Sequence, residues 1–355
     1  MMTYMSLKSV GLAALGGFMT ALMVITAPLE AQGASSPLKA VATVPELGSL
    51  LYEVGGDRVE VTVFGKGTED PHFVEAKPSF VKALSQADLY AQIGMGLEGG
   101  WAPVLLKNAG NASIQPGAWG YLDASTVITP LDVPTGSVDR SMGDVHPSGN
   151  PHYLADPLNG LKVAGLIRDK LSELRPEQRP YFEQRFQAFR QRLGMAMVGE
   201  TLAQKYEYEK LAMLYEYGKL ADFLKQQGDD GQLGGWLGMM LPYYGTKVVA
   251  DHNAWPYFAR RFGIDIVGFL EPKPGIPPTT KHLNELVNTM RADRVKLVIG
   301  VPYYDPRHAQ FMSRHTGATV VNMAHQVGAR PGTDDYIGMI DYNVRSLFAV
   351  LREAR

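Results

Sequence analysis

Beyond residue 38 the apolar residues fall into an alternating rhythm. Short runs rich in Val, Ala, Leu and Tyr, at 39–44 (KAVATV), 59–64 (VEVTVF), 89–93 (LYAQI) and 121–125 (YLDAS), predict strands. Between them, helical spacing predicts a helix from Pro45 to the glycine pair at 55–56, a second over Pro78–Ala87 and a third over Leu97–Asn108. Strands alternating with helices imply a parallel sheet wound by right-handed crossovers. From Pro157 to about Val198 the pattern is helix, broken once at Arg175-Pro176. In its second part Tyr181, Phe182, Phe186, Phe189 and Leu193 fall on one face and mark core packing. The pattern then predicts an amphipathic helix over Tyr206–Leu224 and a Gly-rich loop over Gln226–Gly238. A second alternating half follows, with strands at 247–250, 264–270, 295–301 and 318–323 and helices at 254–262, 279–291, 306–315 and 334–352. The two halves repeat in architecture and not in sequence.

The first residues are of another kind. A single Lys8, an uncharged apolar run from Val10 to Ala27 and the small residues of Ala31-Gln32-Gly33 read as a signal peptide over 1–33, with a membrane anchor as the alternative. We expect an N-terminal lobe over 38–160, linking helices over 161–205 and a C-terminal lobe over 206–355, which suits a chain of 355 residues. Charge is nearly balanced, 34 basic against 36 acidic residues, which excludes the basic surface that nucleic acid requires. The absence of cysteine removes disulfides, thiolate metal sites and thiol-linked lipid together. The expected compartment is therefore the periplasm, in secreted and unlipidated form, and the expected state a monomer.

Ligands of doubly wound sheets bind beyond the carboxyl ends of strands. By that rule His72, His152, His252 and His325 stand in loops that follow strands, two in each half, whereas His282, His308 and His315 lie on helices among polar residues. His146, in GDVHPSGN, fits either group. Pro151 and Pro157 stiffen the Gly149–Pro157 loop, so that His152 can be aimed, and we read this loop as the hinge between the halves. Taken alone, each of these residues is as well explained as an ordinary half-buried histidine. Four imidazoles without thiols suit Zn2+ better than Mn2+, which leans on carboxylates. No compact motif such as HExxH is present.

Four segments together resemble the periplasmic metal-binding proteins of zinc and manganese ABC importers, the cluster A-I family: DPHFVEAKPSFVKALSQADL at 70–89, NPHYLADP at 150–157, DHNAWPYFARRFGI at 251–264, and TGATVVN at 316–322 followed by DDYIGMIDYN at 334–343. The resemblance implies an α/β fold of two similar lobes, each a parallel sheet with flanking helices, joined by a long rigid helix. It also implies a metal held in the cleft, delivery to an ABC importer permease, and histidine ligands at His72, His152 and His252. Two features depart from the family. Its acidic fourth ligand has no plain counterpart, and we expect His325 there; its long His-rich loop is replaced by the short stretch with His146. Tyr206–Met240 is also longer than the family has. The expected function is zinc capture without catalysis, with a manganese or iron binder or a secreted zinc-dependent hydrolase using Glu69 or Asp70 as base as the alternatives.

Overall fold

The apolar runs become two separate parallel sheets in the computed structural model, which describes residues 36–136, 146–273 and 275–353. Strands β1 (Leu38–Ala42), β2 (Val59–Val63), β3 (Leu89–Gln92) and β4 (Tyr121–Asp123) pair in the order β2-β1-β3-β4. Strands β5 (Thr246–Ala250), β6 (Ile264–Phe269), β7 (Leu297–Gly300) and β8 (Thr319–Asn322) repeat it as β6-β5-β7-β8. In both sheets the order reverses beside the first strand, which opens a crevice past its carboxyl end.

The central strands are mostly apolar because both faces are covered. In β1, Ala40 and Ala42 face the core shared by the two halves, while Val41 faces Leu84 of helix α2 (Pro78–Ser85) and Leu105 of α3 (Ala102–Ala109). In β5 and β7, Val248, Ala250, Leu297 and Ile299 face the shared core. Val249 and Val298 instead meet α11 (Thr280–Ala292) and α12 (Pro306–Thr316). Helices α1 (Pro45–Gly55), α4 (Pro157–Leu174), α5 (Arg179–Val198), α10 (Pro256–Phe262) and α13 (Tyr336–Glu353) line that shared core. Residues 37–355 consequently form one compact unit.

The link is a pair of helices, parted where the sequence pattern breaks. Arg175 leaves the helical region (φ −141°, ψ 75°) ahead of Pro176, as a residue preceding proline tends to. In α5 Phe182, Phe186, Phe189 and Leu193 are buried as the stripe predicted. Elsewhere the pattern misplaced three boundaries. The helix expected from Leu97 begins only at Ala102, because Gly94, Met95 and Gly96 all take positive φ and the chain turns there first. The helix expected over 206–224 is two, α7 (Tyr208–Glu216) and α8 (Leu220–Gln227), parted at Gly218 (φ 66°). A short α6 (Glu200–Lys205) precedes them, and the loop expected over 226–238 already holds the start of α9 (Gly235–Met240). The leader expected over 1–33 lies outside the described residues.

Candidate metal centre

Each half sends its histidines from strand ends into the space between the sheets. His252 stands two residues past β5 and is aimed by its neighbour: the Asp251 carboxylate accepts N–H bonds from His252 (2.8 Å) and Val301 (2.6 Å), tying the ends of β5 and β7 together. His72 is held by an Asx turn in which Asp70 Oδ1 accepts the His72 N–H at 3.0 Å. His152 follows the same logic, its N–H donating to Asn150 Oδ1 at 3.0 Å. Asn150 in turn bridges the halves, donating from Nδ2 to Asn253 O (2.8 Å) and accepting at its carbonyl from the Tyr257 hydroxyl (3.0 Å). The Gly149–Pro157 loop is thus an inter-lobe tie. Behind it Asp156 caps α4 and pairs with Arg261 of α10, both buried.

The result is a cluster. Among the described residues, His72, His152 and His252 form a group whose ligand atoms all lie within 4.8 Å of one another. His325 stands outside that group, with its ring edge-on to His152 at 4.7 Å between centroids and its Nδ1 2.9 Å from the Tyr303 hydroxyl. His146 joins from the other side, Nε2 to Nε2 at 3.2 Å from His72. His315 is exposed, and His282 and His308 are half-buried away from the cluster; the His282 ring reaches the Phe269 carbonyl.

A ligating imidazole needs its second nitrogen fixed, and the fold supplies the partners. Asp70 Oδ1 lies 2.7 Å from His72 Nδ1, and Glu271 Oε2 lies 2.8 Å from His252 Nδ1. A carboxylate there can accept a hydrogen bond from Nδ1–H, which leaves Nε2 as the ring nitrogen available to an ion. Burial alone would raise the Asp70 carboxyl, but its hydrogen bonds from His72 hold it below the ordinary value. Burial, reinforced by the neighbouring imidazoles, pushes His152 well below the usual histidine range, His325 to about 3 and His146 to about 4. These rings are neutral at pH 7, the form that binds a metal. Two acidic groups at one remove and uncharged nitrogen donors in front make a site for a divalent cation. The donor set therefore fits the group that the histidine pattern implied.

Sequence reasoning passed over Glu271, although it lies just past β6 and the strand-end rule applies to carboxylates as well as to imidazoles. It also passed over the ion pair of Asp156 and Arg261, which nothing in the linear pattern joins. Glu216 of α7 adds to that pair at 3.2 Å from Arg261 Nη2, so the 206–240 segment is braced against the Gly149–Pro157 loop.

Known proteins carry the same architecture. The profile described as zinc-uptake complex component A, periplasmic, matches residues 40–203 and 239–350. The manganese-binding lipoprotein MntA of Halalkalibacterium halodurans is 23% identical over 319 residues, 89% of either chain. The metal ABC transporter substrate-binding lipoprotein SloC of Streptococcus mutans is 23% identical over 317 residues, 88% of this chain and 89% of its own. A crystal structure of ZnuA superposes with a TM-score of 0.61 at 23% identity, covering 90% of this chain and 98% of that one. The manganese-bound periplasmic metal binding protein from Candidatus Liberibacter asiaticus gives 0.62 at 16% identity, over 88% and 98%. These names overturn one expectation, that of an unlipidated protein secreted to the periplasm: relatives matched along nearly the whole chain are named lipoproteins. A cysteine-free sequence excludes one attachment chemistry and does not by itself set a compartment. The hydrolase alternative falls with the same comparison. On the extent of that profile match, the chain belongs to the zinc-uptake complex component A family, the substrate-binding proteins of metal ABC transporters, and is not an enzyme.

Proposed function

We propose that this chain captures zinc in its cleft and hands it, as a monomer, to the permease of an ABC importer. His72, His152 and His252 are the proposed ligands, with His325 turning its free Nε2 to the ion as the fourth. The observation that carries this reading is the three-histidine group with its carboxylate supports at Asp70 and Glu271. Neutral nitrogen donors favour zinc over manganese, both by the general order of divalent affinities and because manganese prefers carboxylate oxygen. The manganese reading is favoured by the names of several relatives, and the two readings differ in a measurable ratio.

Calorimetric titration of chelator-stripped protein decides between them. We expect one zinc ion per chain and manganese weaker by at least about 100-fold, the order of difference that swapping hard for borderline donors produces. Manganese binding as tight as zinc, or a stoichiometry far from one, overturns the proposal. His325→Ala is expected to weaken zinc binding, and unchanged affinity removes His325 from the set.

A further inference from the structure

The two sheets repeat each other, β1 to β4 against β5 to β8, but the space past their carboxyl ends is used differently in the two halves. In the first, side chains fill it. Phe64, one residue past β2, stacks on Phe80 of α2 at 4.0 Å between ring centroids. Trp101, at the entry to α3, closes over Phe64 and donates its indole N–H to the Pro71 carbonyl at 3.2 Å. In the second, the residue one past β6 is Leu270, and a cavity of about 320 Å³ lies between the strand ends and the start of α12. All four strands of that sheet reach it, through Asp251, Glu271, Gly300 and Asn322. Its size and its place beyond the carboxyl ends of a parallel sheet are those of a small-molecule site.

The floor of the cavity is bare. Val298, two residues earlier on the same face of β7, packs against α11 and α12, whereas Gly300 has no side chain to continue that layer. A Cβ there would meet nothing nearer than Val320 Cγ1 at 3.7 Å and Asp251 Oδ2 at 4.0 Å, so the packing of the protein does not demand glycine. Glycine within a strand marks a place where something else approaches closely. The walls include Tyr303, Tyr304 and Pro277, and the charged groups are acidic. Asp251 and Glu271 are buried at the inner end and Asp305 is partly exposed. Among the described residues no lysine or arginine lines the cavity. The amino-terminus of α12, which would favour an anion, is already capped, Asp305 Oδ1 accepting the Arg307 N–H at 2.9 Å.

We propose that this cavity binds a small organic cation, an ammonium group carried on an apolar or aromatic body, at a site separate from the histidine cluster. The ammonium donates to carboxylate oxygen, the rings of Tyr303 and Tyr304 attract its charge, and the body rests on Gly300 against Leu270. A carboxylate ligand would meet acidic groups with no counter-charge beside it. A bare metal ion does not suit the place either: among the described residues these carboxylates form no group close enough to ligate one. Asp251 and Glu271 back onto His252, so the test is made on metal-free protein.

The probe is phenethylammonium chloride, with phenylacetate as an anion of similar size. Each is titrated into the full chain, isotope-labelled and stripped of metal, and followed by backbone amide chemical shifts. We expect saturable shifts at Gly300, Val301 and Ala309 with a Kd of about 1 mM or tighter, and phenylacetate weaker by at least about 10-fold. Gly300→Val fills the floor with a residue that suits a strand, and it should weaken phenethylammonium by at least about 10-fold while its far-ultraviolet dichroism matches the parent's. The proposal is overturned by no saturable shift up to about 10 mM, by shifts confined to the surroundings of His72 and His152, by phenylacetate binding as tightly, or by unchanged affinity in folded Gly300→Val. Should Gly300→Val not fold, the positions that shift in the parent decide alone.

Discussion

Glu46 is the least comfortable side chain in the fold, and its replacement by glutamine gives a quantitative test. It sits in the first turn of α1, 6% exposed, and its Oε2 has no hydrogen-bond partner. Burial pushes its carboxyl up from 4.5 to about 8, against a smaller opposing backbone hydrogen bond. At about 1.36 kcal/mol per unit, that rise corresponds to ~5 kcal/mol between the protonated and ionised forms. The sign follows from linkage. Below pH 4.5 folded and unfolded chains both hold the proton, and Glu46 costs nothing through ionisation. Between 4.5 and about 8 the unfolded chain releases it while the folded chain retains it, so stability is lost progressively as pH rises. A glutamine cannot ionise, and its amide can donate towards Gln326 Oε1, which is also unpartnered and lines the same space of about 20 Å³. Urea unfolding of metal-free Glu46→Gln and parent should therefore agree to within about 1 kcal/mol at pH 5 and diverge by ~4 kcal/mol at pH 8, the variant being more stable. Parallel pH profiles for the two proteins would refute the reasoning.

Other variants probe the inter-lobe tie, the packing and the site. Arg261→Met leaves Asp156 buried without the two hydrogen bonds of 2.8 and 3.0 Å that Arg261 donates to it and should cost about 3–5 kcal/mol in urea unfolding; a loss under ~1 kcal/mol would show that the pair carries little. Gly160→Ala places a Cβ 2.2 Å from the Tyr336 hydroxyl, which is itself bonded to the carbonyl of Leu154. In spite of the better helix propensity of alanine, it should lower stability by about 1–3 kcal/mol, read from thermal unfolding. His252→Ala should weaken zinc binding by at least about 100-fold in calorimetry while leaving the unfolding midpoint of metal-free protein nearly unchanged.

Much of the architecture was legible because both sheets are covered on both faces. Runs such as KAVATV and VKLVIG then read as strands on composition alone, and the proline–glycine punctuation around them marks the helices. The failures have local causes. The start of α3 was misread because three successive residues adopt left-handed backbone, a property that only two of them, as glycines, announce. The 206–224 segment reads as one helix because its apolar spacing is helical on both sides of Gly218, and one glycine within such a pattern is a weak stop. The same segment falls largely in the gap, residues 204–238, that the family profile leaves unmatched. For the site, the position of histidines after strands singled out His72, His152, His252 and His325, of which the first three come within 4.8 Å of one another. It could not say which nitrogen each ring presents, since that is set by Asp70 and Glu271 across the fold.

Those carboxylates also raise the question of what they contribute, orientation or charge, and Glu271 can separate the two. Its Oε2 accepts from His252 Nδ1 at 2.8 Å and from the Gly275 N–H at 2.9 Å, so the side chain is fixed from two directions. Glu271→Gln keeps an acceptor in that place and removes only the charge, whereas Glu271→Ala removes both. An ion on the far nitrogen of His252 would lie ~6 Å from the carboxylate, one imidazole width beyond its contacts. At an effective dielectric of ~20 this is worth about 3 kcal/mol for each unit of charge on the ion. Orientation alone would leave the glutamine variant nearly intact; the Coulomb figure says that it will not be. For a divalent ion that sum exceeds 100-fold, so we expect Glu271→Gln to weaken zinc binding by at least about 100-fold and Glu271→Ala to weaken it further, because the freed ring can then turn its proton to the ion. A glutamine variant within about threefold of the parent, beside an alanine variant that fails, would show that the carboxylate acts as a rigid acceptor and that charge balance in this cleft is supplied elsewhere.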